Sequence, residues 1–214
     1  SQGAYVTYPA EEIYAILSLE SHRHQAVIIG EDLGTVPAEV KRGLKRHGVA
    51  GMFVVQYEAR PRPDAALRRI PPRVIASLNT HDMPPFAAFW QSLDLADHLE
   101  LGLIQRGDLD GACRLRGRIR RSLLRRFRRQ GMPGRGPANA RAVLPSVLRH
   151  LGASAARWVL VNREDLWLET APQNTPGTST ERVNWRRKTR FALEQLGEER
   201  AGWGFLGELR HPRK

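Results

Sequence analysis

Short apolar runs alternate with segments of helical periodicity along this chain of 214 residues. The runs lie at residues 26–30, 51–57, 74–78 and 158–162. Each is too short for a typical helix, and the segments that follow carry apolar residues at helical spacing. Parallel strands need crossover connections, usually helices, so this order predicts an α/β fold with a parallel sheet. Four strand–helix units make up half of a (β/α)8 barrel, and this is the fold class expected here.

The first apolar run ends in two adjacent acids. Val27 and its neighbours have the composition of a strand buried on both faces, and Glu31 and Asp32 follow directly after Gly30. Barrel enzymes place catalytic acids at the carboxyl ends of such strands, where buried apolar support favours the protonated form that a general acid needs. The alternative is that the two acids occupy the first turn of a helix and complement its dipole.

The remaining helices are predicted from apolar spacing and from capping residues. They cover residues 10–24, 35–48, a segment opened by Pro84 and Pro85, 93–110, 114–130, 140–151, and a last helix capped by Asn184. Gly48 is expected to end the second helix, and Gly111 to separate two of the later ones. Residues 131–137 and 172–184 have loop composition.

A strongly basic segment raises the question of nucleic-acid binding. The chain carries a net charge of +12, and ten arginines lie between Arg114 and Arg135. However, Leu115, Ile119 and Phe127 belong to an apolar stripe that recurs every fourth residue beneath the charges. The stripe favours the solvated face of an amphipathic helix over a nucleic-acid interface, and no nucleic-acid partner is expected.

Several classes of protein are disfavoured by the composition. The single cysteine, Cys113, excludes an internal disulfide and a Cys-rich metal site. No apolar run approaches the ~18 residues that a membrane span needs, and no signal peptide is visible, so a cytoplasmic protein without a membrane partner is expected. The chain begins with Ser1, which fits a processed product or a piece of a longer protein. Neither HExxH nor GxSxG occurs.

A second pair of polar residues, His81 and Asp82, follows the third apolar run. Carboxylates at the ends of different barrel strands can converge on the scissile bond of a sugar, where one donates a proton and the other stabilises the cationic transition state. Three alternatives stay open: an internal salt bridge for Asp32, a satisfied core histidine for His81, and a metal site built on the His–Asp pair.

A set of longer motifs carries a family resemblance. The segments are GAYVTYP at 3–9, IGEDLGTVP at 29–37, NTHDMP at 79–84, NREDL at 162–166, QNTPGT at 173–178 and ERVNWR at 181–186. In this order they closely resemble the amylomaltases, the 4-α-glucanotransferases of glycoside hydrolase family 77. The resemblance covers residues 3 to about 197.

The resemblance implies a role for each matching residue. Glu31 would be the general acid/base, and Asp82 would stabilise the oxocarbenium-like transition state. His81 would hydrogen-bond the same sugar ring, while Asp32 and Asn174 would contact substrate or organise the cleft. The chemistry requires no metal and no organic cofactor. Tyr5 and Tyr8 would either stack on sugars or serve as plain packing residues.

One element of the family pattern is absent from the sequence. In this family the nucleophile is an aspartate in an Arg-x-Asp-His context at the end of the fourth strand, and no such motif occurs here. The resemblance therefore implies a carboxyl-terminal half-barrel, strands five to eight within residues 1–197, with a helical insertion at about 90–150 and a tail at 198–214. The expected partner is the missing amino-terminal half of the same enzyme.

The implied activity is transfer of α-1,4-glucan segments between malto-oligosaccharides by a retaining double displacement, although the chain alone is expected to be inactive. Two other functions stay open. One is another retaining α-glucan enzyme, a hydrolase or a branching enzyme. The other is a non-catalytic remnant that binds glucan.

Overall fold

A three-stranded parallel sheet lies at the centre of the fold, in a computed structural model that describes residues 4, 6–131, 138–196 and 204–209. The strands are β1 (Gly51–Val54), β2 (Val74–Ser77) and β3 (Trp158–Leu160), in the order β1-β2-β3. Both pairings are parallel. The predicted α/β class with a parallel sheet is confirmed, and three of the four apolar runs form its strands.

The first apolar run contributes only an isolated parallel bridge between Ile29 and Ala50. The Gly30 amide donates to the Ala50 carbonyl at 2.8 Å, and the Ala50 amide donates to the Ile28 carbonyl at 3.0 Å. The prediction of a strand buried on both faces is wrong here, because Val27 is 50% exposed and Ile29 is 40% exposed. Among the described residues, this segment has a neighbouring strand on the β1 side only, so its other edge is uncovered.

Two helices flank this bridge, as the sequence predicts. They are α1 (Ala10–Arg23) and α2 (Ala38–Arg46). Gly48 has a φ of +76° just past α2, which is the left-handed conformation that commonly ends a helix. The two helices are joined by Glu11, which pairs with Arg46 and His47.

Strand β1 is shorter than predicted. Its last predicted residues instead form one helical turn, α3 (Val55–Glu58). The amide of Gln56 still donates to the Leu78 carbonyl at 3.0 Å, so the turn stays attached to the end of β2.

Four helices connect β2 to β3: α4 (Phe86–Gln91), α5 (Leu93–Glu100), α6 (Arg106–Arg129) and α7 (Ala140–Gly152). The predicted break at Gly111 is wrong, because α6 runs through it. A glycine inside a helix costs only about 1 kcal/mol relative to alanine, which the long apolar stripe of α6 offsets. The true break lies near Gly102, which has a φ of +69° between the end of α5 and the start of α6.

The hydrophobic core lies between the sheet and the helices α4, α6 and α7. Its large, fully buried side chains come from each of these elements and include Phe53, Phe86, Trp90, Phe127 and Leu144. The Asn139 side chain caps α7 by accepting from the Ala142 amide at 2.9 Å. The stripe of α6 is buried in its second half, whereas Leu115 in its first half is 46% exposed.

After β3 the chain forms α8 (Arg163–Leu166), a long loop, α9 (Leu193–Leu196) and a 3-10 helix (Gly204–Leu209). The 3-10 helix packs on α7, where Arg149 pairs with Glu208 at 2.6 Å. The helix predicted from Asn184 is wrong. The Asn184 side chain accepts from the Thr175 amide and donates to Thr178, so it closes the loop instead of capping a helix.

No helix within the described ranges is long and apolar enough to cross a membrane. Residues 132–137 of the predicted Gly- and Pro-rich loop lie outside the described residues.

Candidate active site

Three of the predicted site residues lie together beyond the carboxyl end of β2. The Asn174 side-chain amide donates to Oδ1 of Asp82 at 2.6 Å. Nε2 of His81 lies 3.3 Å from Oδ2 of Asp82, and the His81 ring contacts Trp185 at 5.4 Å between centroids. The His81 side chain is 62% exposed, which excludes the interpretation as a core histidine. This group presents one carboxylate, one imidazole and one amide to solvent.

Asp82 and Asn174 also line a cleft of about 290 Å³. Helix α5 forms one wall, and the loop of residues 170–187 forms the other. Arg182 fastens the loop to α5, because its guanidinium binds Asp97 at 2.7 Å and Glu100 at 3.0 Å. The cleft therefore combines apolar surface, such as Pro84 and Leu93, with carboxylates and an amide, which suits a polar ligand with apolar faces.

Asp32 lies at a different strand end, where it binds backbone. Its Oδ1 accepts from the Met52 amide of β1 at 2.8 Å. A Cβ at Gly51 would come within 2.8 Å of Oδ2 of Asp32, so a larger residue there would displace this carboxylate. The predicted salt bridge is not the interaction found: among the described residues, Asp32 binds an amide and forms no ion pair. Asp32 thus anchors the segment that follows the first apolar run.

Glu31 is exposed beside Asp32. It makes no hydrogen bond or ion pair with any residue that the structure describes, and it does not line the cleft of Asp82. The apolar burial expected around this acid is therefore not found among the described residues. Further along the segment, the Gly34 amide donates to the Tyr57 hydroxyl at 3.0 Å, so the loop that carries Glu31 is attached to β1 and α3 by two contacts.

Asp165 was not predicted as a site residue, although the structure gives it a central position. Asp165 is fully buried, and it accepts from the Asn79 side chain at 3.0 and 3.2 Å and from the Phe86 amide at 2.7 Å. Burial raises the pKa of Asp165 to about 7, against the hydrogen bonds from Phe86 and Asn79, which lower it. The only sequence signal was its place after β3, next to Glu164.

The sequence also predicted roles for two tyrosines and left a metal site open. Tyr8 is 67% exposed in the described part of the chain, and Tyr5 lies outside the described residues. No group of three His, Cys, Asp or Glu side chains arranged to hold a metal is present within the described ranges.

Some arginines of α6 form ion pairs and hydrogen bonds with other residues of the protein. Arg116 pairs with Asp94 at 2.7 Å, and both side chains are largely buried. Arg120 donates to the Trp90 carbonyl at 2.8 Å, and Arg129 pairs with Asp64 at 3.0 Å. These contacts remove part of the charge from the surface that a nucleic-acid interface would need.

The family model of the 4-α-glucanotransferases, glycoside hydrolase family 77, matches residues 1–194. The 4-α-glucanotransferase of Haemophilus influenzae is 33% identical over 195 residues, which are 88% of this chain and 28% of that protein. That of Mycobacterium tuberculosis is 31% identical over 196 residues, 87% of this chain and 26% of that protein. The chain thus spans little more than a quarter of the length of these relatives.

Solved structures show the same fold. The amylomaltase from Corynebacterium glutamicum superposes with a TM-score of 0.80 at 21% identity, covering 96% of this chain and 31% of that one. The amylomaltase from Streptococcus agalactiae, solved in complex with acarbose, gives a TM-score of 0.66 at 21% identity, covering 97% of this chain and 35% of that one. On the match of the family model and of these relatives, the chain belongs to the 4-α-glucanotransferase family, glycoside hydrolase family 77.

Proposed function

We propose that this chain forms the carboxyl-terminal half of a (β/α)8 barrel, strands five to eight within residues 1–197, with a helical insertion at about 90–150 and a tail at 198–214. The barrel transfers α-1,4-glucan segments between malto-oligosaccharides in the cytoplasm. The observation that carries the proposal is the hydrogen bond from Asn174 to Asp82, which fixes a carboxylate on the wall of a cleft beyond the carboxyl end of β2. The acarbose complex of the Streptococcus agalactiae amylomaltase supports a glucan as the ligand of this cleft.

Asp82 stabilises the transition state in this proposal. An oxocarbenium-like sugar ring carries positive charge, which an adjacent ionised carboxylate offsets. Asn174 donates to Oδ1 of Asp82, and Oδ2 lies beside His81, where both side chains can meet sugar hydroxyls. The neighbouring imidazole is exposed and can donate to the same ring.

Glu31 supplies the proton transfers. It protonates the glycosidic oxygen of the leaving segment, and it later removes the proton from the acceptor hydroxyl. Its exposure in this chain supports a role at the open mouth of the barrel, where an acceptor sugar enters. Asp32 holds the Glu31 segment through its hydrogen bond to Met52.

The covalent step requires a second carboxylate as nucleophile. We assign this nucleophile to the part of the relatives' sequence that lies outside the region aligned with this chain. The Arg-x-Asp-His motif that carries it in the family does not occur in the sequence. The relatives extend well beyond the matched region, which leaves room for the other strands. The partner of this half-barrel is therefore the amino-terminal half of the same enzyme.

The decisive experiment is a maltotriose disproportionation assay on the chain alone and with a separately expressed amino-terminal half of the Haemophilus influenzae relative. We expect no products from the chain alone, and glucose with longer oligosaccharides from the mixture. The Glu31→Gln and Asp82→Asn variants should each abolish the products. Transfer by the chain alone would overturn the placement of the nucleophile.

The same assay separates the two other functions. A hydrolase increases the number of reducing ends, whereas disproportionation leaves it unchanged. A branching enzyme also leaves it unchanged, but its products contain α-1,6 linkages instead of α-1,4 linkages only. A non-catalytic remnant would bind acarbose but show no turnover, with or without the amino-terminal half. Its acarbose binding would survive Glu31→Gln.

A further inference from the structure

The carboxyl group of Asp165 has no part in the transfer reaction described above, and yet it is fully buried at the edge of the site. Burying a carboxylate is costly unless hydrogen bonds compensate for the lost water. Asp165 lies in the short helix α8, directly after β3, and its carboxylate accepts from Asn79, just after β2, and from the first residue of α4. The contacts of this buried acid indicate a structural role.

The contacts of Asp165 lie at the two ends of one loop, residues 79–86. At the first end, the Asn79 side chain donates to both of its oxygens, at 3.0 and 3.2 Å. At the second end, the Phe86 amide donates to Oδ1 at 2.7 Å. Asn162 strengthens the first attachment, because its side-chain amide donates to Oδ1 of Asn79. One carboxylate thus holds both ends of the loop that carries His81 and Asp82.

Contacts inside the loop transmit this constraint to Asp82. The Asp82 amide donates to Oγ1 of Thr80 at 3.3 Å, and the Met83 amide donates to the Thr80 carbonyl at 3.2 Å. Gln56 donates to the Pro84 carbonyl at 3.1 Å. These hydrogen bonds connect the backbone around Asp82 to Thr80 and to Gln56, and so restrict the loop between its two attached ends.

We propose that Asp165 is a positioning residue for Asp82: it clamps both ends of the loop 79–86, so that the Asp82 carboxylate meets Asn174 at the wall of the cleft. The inference rests on the proposed function in taking Asp82 as a transition-state stabiliser. Asp165 touches no substrate, because it is buried beneath the loop. A misplacement of about 1 Å at such a carboxylate is enough to cost about a hundredfold in rate.

Burial also makes the clamp sensitive to protonation. The pKa of Asp165 is raised to about 7, and among the described residues Glu164 is the charged neighbour that raises it further. The ionised carboxyl accepts charge-assisted hydrogen bonds from Asn79 and Phe86, whereas protonation weakens one acceptor oxygen. The loop should therefore be held more firmly above pH 7 than below it.

The test is an NMR comparison of the wild-type chain with Asp165→Asn, an isosteric change that removes the charge and one acceptor. Hydrogen exchange at the Asp82 and Met83 amides should accelerate about tenfold. The resonance of the Asn174 side-chain amide should shift as its hydrogen bond to Asp82 loosens. Glu208→Gln, which weakens a partly buried ion pair on α7, is the matched control and should leave both signals unchanged.

A folded Asp165→Asn variant with unchanged exchange and an unchanged Asn174 resonance would overturn the proposal. If the variant does not fold, a pH titration of the wild-type chain decides. The Phe86 amide and the Asn174 side-chain amide should then shift together around pH 7, and a titration confined to Phe86 would contradict the clamp.

Acarbose titrations on the same samples separate this inference from the proposed function. Weaker acarbose binding by Asp165→Asn with wild-type binding by Glu208→Gln supports both. If the wild-type chain binds no acarbose and the loop still responds to Asp165→Asn, the clamp stands and the assignment of the cleft to glucans fails.

Discussion

Asn174 reaches Asp82 from a loop that lies 92 residues further along the chain, and the two side chains meet at 2.6 Å. The hydrogen bond holds one oxygen of Asp82 in a fixed direction, so that the carboxylate can face a cationic sugar ring. The geometry therefore makes Asn174 a determinant of the orientation of Asp82.

Replacing Asn174 by aspartate should be more damaging than replacing it by alanine. Asn174→Asp removes the donor and places a second negative charge beside Asp82, so the two carboxylates repel each other and the orientation of Asp82 is lost, whereas Asn174→Ala only removes the donor. We expect acarbose binding at pH 7 to weaken about tenfold or more in Asn174→Asp, and less in Asn174→Ala. Isothermal titration calorimetry measures both. Gln173→Ala, which removes the neighbouring side-chain amide, is the control. Equal losses of acarbose affinity in Asn174→Asp and Asn174→Ala would contradict the prediction.

Two buried titratable groups should give the stability of the chain opposite slopes with pH. The pKa of Asp165 is raised to about 7, so its contribution is present below pH 4 and is lost as the pH rises to 7. The pKa of His150 is lowered to about 4 by burial and by Arg126, so its contribution is present above pH 6.5 and is lost on acidification towards 4.

Urea unfolding between pH 4 and 8 separates the two groups. As the pH increases, ionisation of Asp165 should lower the free energy of unfolding of the wild-type chain by at most about 4 kcal/mol, and this decrease should be missing in Asp165→Asn. Deprotonation of His150 should raise it by at most about 3 kcal/mol, and this increase should be missing in His150→Gln. Parallel curves for wild type and either variant would show that the corresponding group titrates alike in the folded and unfolded chain.

Several individual residues of the site were predictable from the sequence. His81, Asp82 and Asn174 occur in motifs that resemble the family, and the structure brings them together. Asp165 was not predictable as a buried clamp, because its partners Asn79 and Phe86 lie about 80 residues away and only the folded chain shows that no solvent reaches it. The isolation of Glu31 likewise depends on tertiary contacts that no motif contains.

Helix α6 is the element in which sequence and structure differ most clearly. The apolar stripe predicted a helix, and Gly111 predicted a break that does not exist, because one residue of low helix propensity cannot outweigh the buried contacts of a long helix. Asn184 illustrates the reverse case. Asparagine caps helices and closes loops through the same kind of side-chain hydrogen bond, and the tertiary structure selects the loop.

Arg116 should contribute more to stability than the other arginines of α6. It pairs with Asp94 through two hydrogen bonds, donates to the Phe89 carbonyl at 2.6 Å and lies 3.9 Å above the Phe89 ring. Removing one partner of a buried pair leaves the other charge uncompensated, at a cost of about 3–5 kcal/mol. Arg116→Ala should therefore lower the free energy of unfolding by about that amount in urea titrations.

Arg118 supplies the matched control for this experiment. It lies on the same helix and is exposed, so Arg118→Ala should change the free energy of unfolding by less than about 0.5 kcal/mol. Equal effects of the two substitutions would show that the net charge of the helix, rather than the buried pair, determines its stability.

For the whole molecule, the main consequence of the fold is an open sheet. In the described part of the chain, residues 26–30 have a neighbour only towards β1, and β3 pairs only with β2. Val27, Ile29 and Leu160 are each at least 40% exposed at these two edges. An apolar edge with unpaired backbone groups is a template for another strand, which is how the remaining strands of a barrel would join it.

The isolated chain should therefore self-associate through its edges, and a charge at an edge should reduce this. We expect Ile29→Lys to increase the monomer fraction several-fold at micromolar concentration, because a lysine at a strand edge disfavours pairing with another strand. Leu115→Lys introduces the same charge at an equally exposed apolar residue on α6, away from the sheet, and should leave the association unchanged. Size-exclusion chromatography with light scattering measures the monomer fraction. Equal solubilisation by both substitutions would show that general surface hydrophobicity, and not the open edge, drives association.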